Sequence, residues 1–73
     1  MDTHSKIVPS KIVSNQNILG GTPVVAGTRV PADTVLAEVA AGTDRFNIFR
    51  HYPSLPLDGI EACIAWEKAG RPV

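Results

Sequence analysis

A small α+β fold is predicted: short amino-terminal β-strands, or a hairpin, followed by three helices in a helix-turn-helix-like bundle. Three observations carry it. Paired β-branched residues recur early, at Ile7-Val8, Ile12-Val13 and Val24-Val25, and favour extended backbone. After Pro31 the apolar spacing becomes helical, with Val35, Leu36, Val39 and Ala40 on one face. Between the two regimes, Leu19-Gly20-Gly21-Thr22-Pro23-Val24-Val25-Ala26-Gly27-Thr28-Arg29-Val30-Pro31 reads as a strand-to-helix junction with a glycine turn on either side of the strand.

Along the chain, residues 1–5 are polar and are expected to fray. Residues 6–30 form the extended part. Ser5-Lys6-Ile7-Val8-Pro9 and Ser10-Lys11-Ile12-Val13-Ser14 echo one another as two short edge strands, divided by a proline that cannot donate to a ladder. Ser14-Asn15-Gln16-Asn17 is rich in turn formers. Residues 31–69 hold the helices. The first runs from about Pro31 to Ala41, with Asp33 in its first turn and Gly42 as its left-handed stop. Thr43 is read as the cap of a second through Arg50, with Phe46 and Phe49 inward, ended by Pro53. The third spans Leu57 to Ala69, with Leu57, Ile60 and Ile64 as its stripe and Cys63 beside it. Gly70 and Pro72 close it, leaving 70–73 as a short tail. The last two helices form either a helix-turn-helix or an ordinary pairing of short helices; spacing leaves both open.

Seventy-three residues make one domain, 1–73, with too little interior for a deep active site, and such domains often gain stability by oligomerising. A homodimer through the edge strands Lys6–Val8 and Lys11–Val13 is expected. A single cysteine excludes a disulfide framework and a multi-cysteine zinc site. The lack of a long apolar run or a signal-peptide pattern after Met1 gives a cytoplasmic expectation, without membrane contact. The formal net charge is zero but uneven: residues 1–30 carry Lys6, Lys11 and Arg29 against Asp2, whereas 31–67 carry two arginines against six carboxylates. Any nucleic-acid contact is therefore assigned to Lys6, Lys11 and Arg29 rather than to the helices.

No catalytic set emerges. His51 lacks companions at ligand spacing, and Cys63 sits in an apolar helix without a base, so both read as structural. Asp58 and Glu61 read as solvated surface. The glycines lack a Gly-Lys-Ser/Thr ending and do not form a phosphate cradle. No catalytic residue, metal ligand or cofactor-binding residue is assigned. Arg29 has two readings: a cation for a phosphate or an acidic partner, or an internal brace of the junction, which the neighbouring turns favour. Trp66 suits core packing and a partner interface equally.

The pattern Gly-Gly-x-Pro-Val-x-x-Gly-Thr-Arg-Val-Pro at Gly20–Pro31, an apolar helix, an x-Gly turn and then Tyr52-Pro53-Ser54-Leu55 before a further helix resembles the family called domain of unknown function 433. The likeness runs from about Ile12 to Glu67. Where relatives are often basic this chain has Thr22 and Ala26, and where they often carry a helix-capping Ser or Thr it has Pro56, with Asp58 as the substitute cap. The resemblance implies an antitoxin-like component, similar in role to VapB-type antitoxins, that binds and neutralises a PIN-like nuclease toxin and acts on its own operator DNA. Partner-binding candidates on that reading are Arg29, Arg50, Trp66 and Arg71. The alternatives are a helix-turn-helix-like DNA-binding regulator and a structural dimerisation module.

Overall fold

The computed structural model describes residues 9–72. Two strands, β1 (Ile12–Val13) and β2 (Val24–Val25), pair antiparallel, with Ile12 opposite Val25 and Val13 opposite Val24. Three helices follow: α1 (Ala32–Ala40), α2 (Arg45–His51) and α3 (Gly59–Lys68). The predicted α+β order is thus present. The Lys6–Val8 strand candidate lies outside the described residues.

The junction forms as two turns. Gly20 and Gly21 take φ of 65° and 97°, values that suit glycine, and reverse the chain between the strands. After β2 a second turn closes at Val25–Thr28, where the Thr28 N–H donates to the Val25 carbonyl at 3.0 Å over a left-handed Gly27. The return arm then pairs back: Val25 N–H donates to Val30 O at 3.0 Å, and Val24 bridges Pro31. Pro31 therefore finishes the sheet with extended backbone, and α1 starts one residue later.

α3 is the central element. It packs on α1 and on both strands, and its buried residues Ile60, Cys63 and Trp66 recur at helical spacing. They meet Val25 and Val30 from the sheet, Val35 and Leu36 from α1, Ile48 from α2, and Leu55 from the loop before α3.

Several helix details depart from the sequence reading. Asp44, rather than Thr43, caps α2: its carboxylate accepts the Asn47 N–H at 2.8 Å. Thr43 instead donates its hydroxyl to Glu38. Ile48 is the buried residue of α2, whereas Phe46 is 71% exposed and Phe49 is half-buried. Leu57 is 86% exposed, because Pro56-Leu57-Asp58 forms a turn and α3 begins only at Gly59. Asp58 does not cap α3. Its carboxylate accepts the Ser10 N–H at 2.8 Å and the Ser10 hydroxyl at 2.6 Å, tying the start of the sheet to the start of α3.

Candidate partner-binding surface

The residues singled out for partner binding separate into three places. At the carboxyl end of α3, Gly70 (φ 91°) turns the chain back so that the Arg71 N–H donates to Trp66 O at 2.9 Å and the Gly70 N–H to Glu67 O at 3.1 Å. The returning tail covers Trp66. The indole N–H donates to Pro72 O at 2.8 Å, and the Arg71 guanidinium stands 5.2 Å from the ring centroid. Arg71 also bonds Asp33 of α1 at 2.6 Å and Glu67 at 3.2 Å. Trp66 is therefore a core residue under its own tail, and Arg71 locks that tail across two helices.

The second place is the turn end of the sheet. Lys11 and Arg29 are both exposed there: the Lys11 carbonyl accepts the Ala26 N–H, and Arg29 directly follows the Val25–Thr28 turn. Arg29 has no side-chain hydrogen bond or ion pair among the described residues. The internal brace is Thr28: its hydroxyl donates to Val25 O at 2.7 Å and accepts the Val30 N–H at 3.0 Å. The brace reading of Arg29 is thus corrected to its neighbour. Lys6, grouped with these cations on sequence grounds, lies outside the described residues.

The third place is the outward side of α2. Phe46 and Arg50 are one helical turn apart, and the Arg50 guanidinium lies 5.9 Å from the Phe46 ring centroid. Arg50 reaches only Asn47, at 3.5 Å, and pairs with no carboxylate among the described residues. The rest of α2 is tied down at both ends. Arg45 bonds Glu61 of α3 at 2.6 Å, and that bond holds the Glu61 carboxyl below its ordinary pKa. His51 Nδ1 lies 2.8 Å from Glu38 of α1. The hydrogen bond from His51, and then the one from Thr43, lowers the Glu38 pKa. Tyr52 stands edge-on to the imidazole at 6.2 Å; burial, and then the Glu38 charge, raise its phenol pKa.

Sequence reasoning missed these long-range partners. Asp58 and Glu61 read as solvated surface, and nothing in the local pattern names Ser10 and Arg45 as their hydrogen-bond donors or His51 as the partner of Glu38. Phe46, which the spacing places inward, is exposed. Cys63 is fully buried, and desolvation pushes its thiol pKa up to about 11, the wrong direction for a nucleophile. No group of three or more His, Cys, Asp or Glu positioned to hold a metal occurs among the described residues.

Comparison with known proteins agrees with the junction motif. Residues 12–66 match the family described as "Protein of unknown function (DUF433)". The chain is 43% identical over 58 residues to "Uncharacterized protein y4eO" of Sinorhizobium fredii, a match that covers 80% of this chain and 26% of that protein. It thus spans about a quarter of that relative's length. No solved structure matches it significantly.

Proposed function

The chain belongs to this family of unknown function, and on that premise we propose that it is an antitoxin-like component of a toxin–antitoxin pair, binding and neutralising a PIN-like nuclease. The observation that carries the proposal is the Phe46–Arg50 face. An aromatic ring left 71% exposed beside an arginine without a carboxylate partner among the described residues combines an apolar anchor with a cation. A nuclease that works through metal-binding carboxylates offers the matching anionic surface. Of the four residues proposed for binding, Arg50 and Arg29 face outward, while Trp66 and Arg71 are used internally. The reading includes a cytoplasmic homodimer that is not itself an enzyme. Among the described residues no helix is long and apolar enough to cross a membrane.

Co-expression with the product of the neighbouring gene, assayed for ribonuclease activity, tests it. A stable complex, loss of ribonuclease activity, and weakening by both Phe46→Ala and Arg50→Ala are expected. The proposal is refuted if no complex forms, or if one forms that neither substitution affects.

The turn end of the sheet favours a second role, contact with operator DNA by Lys11 and Arg29, which sit outward at one end. The outward face of α3 carries Glu61 and Glu67, so it is the poorer element for a groove. Neutralising Lys11 and Arg29 should reduce the salt dependence of binding by about one unit of slope per lost contact. Specific binding that survives this change but fails in Glu61→Ala would move the contact to α3.

A further inference from the structure

We propose that α2 opens as a separate unit while the rest of the fold stays intact, and that the Glu38–His51 contact is its latch. The helix has seven residues, far short of the length at which a helix holds without tertiary support. Its tertiary support is thin. Ile48 is its one fully buried side chain, whereas α3 buries four residues and packs on α1 and both strands. Both flanks can act as hinges: Gly42, with φ of 83°, on one side, and the exposed Pro53-Ser54 turn on the other.

Among the described residues two side-chain ion pairs hold α2 against its neighbours, Arg45 also reaching the Leu57 carbonyl at 3.5 Å, and exposure decides between the pairs. The Arg45–Glu61 pair has both side chains more than half exposed, at 56% and 58%, where water screens it and such pairs contribute little. In the other pair His51 is 52% exposed, but the Glu38 side chain is only 20% exposed and is already fixed by the Thr43 hydroxyl, so it presents a pre-positioned acceptor to His51 Nδ1 at 2.8 Å. His51 is the last residue of α2, so releasing it frees the helix end nearest the Pro53 hinge. Phe46 and Arg50 ride on this element. The opening follows from the fold alone; its consequence, that the latch sets the pose of the binding face, rests on the proposed function.

Amide hydrogen exchange on the intact chain tests the opening without any partner. The amides of Ile48 and Tyr52, which donate within α2 and at its end, should exchange at least roughly tenfold faster than those at the centre of α3. Glu38→Gln and His51→Phe, the second keeping an aromatic ring beside Tyr52, should each speed the α2 amides several-fold and leave α3 unchanged. Arg71→Ala, which cuts the lock between α1 and α3, should leave the α2 rates unchanged. Equal protection in α2 and α3 of the unmodified chain would overturn the proposal, as would latch variants that speed all amides alike. Failure to bind a nuclease would leave these rates untouched, so the two readings fail separately.

Discussion

Gly59→Ala sets two well-understood effects against each other. Gly59 has helical backbone and opens α3, so on propensity alone alanine should gain up to about 1 kcal/mol. The glycine is there for space instead. A Cβ at this position would lie 2.5 Å from Leu55 Cδ1, 2.8 Å from Leu55 Cγ and 3.4 Å from Pro56 Cδ. Leu55 is a buried core residue, 5% exposed, and cannot swing into water. Forcing a methyl group into such a site costs about 1–3 kcal/mol. Propensity offsets only part of this, leaving a net loss of about 1 kcal/mol, or a fall in Tm of about 4–8 °C for a domain of this size. Urea denaturation of Gly59→Ala, Leu55→Ala and the double variant checks both the sign and the cause. Leu55→Ala alone should cost roughly 2–5 kcal/mol. The double variant should cost less than the two together, because the shortened side chain leaves room for the new methyl. A Gly59→Ala chain more stable than its parent, or two losses that simply add, would refute the close-packing argument.

Acid should destabilise the fold through three carboxylates. His51 and Thr43 lower the Glu38 pKa, Ser10 lowers that of Asp58, and Arg45 lowers that of Glu61. Each contribution is fully present above the unfolded-state pKa and is lost as pH falls through the depressed folded-state pKa. Tm should therefore drop as pH is taken below about 4, and Ser10→Ala should flatten that drop. Cys63, buried and with its thiol pushed up to about 11, should resist thiol reagents in the native state at pH 8 and react faster in Gly59→Ala, in proportion to the lost stability. Arg71→Ala should red-shift the Trp66 fluorescence as the tail lifts from the indole, and should lower Tm; unchanged emission would show that the tail stays in place without its guanidinium.

What the sequence disclosed and what it hid divide along the range of the interaction responsible. Gly27, Gly42 and Gly70 all take the left-handed backbone their turns require, and Pro53 stops α2 at Tyr52, because these are effects of one or two residues on their own backbone. Phe46 and Leu57 were misplaced for a different reason. A helix of two turns offers several equally apolar faces, and the one that buries, at Ile48, is chosen by where α1 and α3 lie. Leu57 has the composition and the spacing of a core residue but sits in the turn before α3, where the backbone is not yet helical. Gly59 was legible only as a weak helix former, since its actual constraint, the Leu55 side chain, exists only once the loop has folded back. For the candidate surface, Arg50 and Arg29 stood out as cations, but their outward position, and the internal use of Arg71 and Trp66, required the three-dimensional pairing.

That pairing also changes what a formal net charge of zero means. Each carboxylate among the described residues has an internal role. Asp33 and Glu67 hold Arg71, Glu38 holds His51, Asp44 caps α2, Asp58 holds Ser10, and Glu61 holds Arg45. Lys11, Arg29, Arg50 and Lys68 have no carboxylate partner among the same residues. Arg45 and Glu61, 2.6 Å apart, offset one another's charge, whereas Asp44 and Asp58, bonded to uncharged Asn47 and Ser10, keep theirs. The carboxylates that weigh against nucleic-acid contact by the helices are thus also groups that hold the fold. Among the described cations without a carboxylate partner, Arg50 stands out, because it lies beside an exposed aromatic ring on α2.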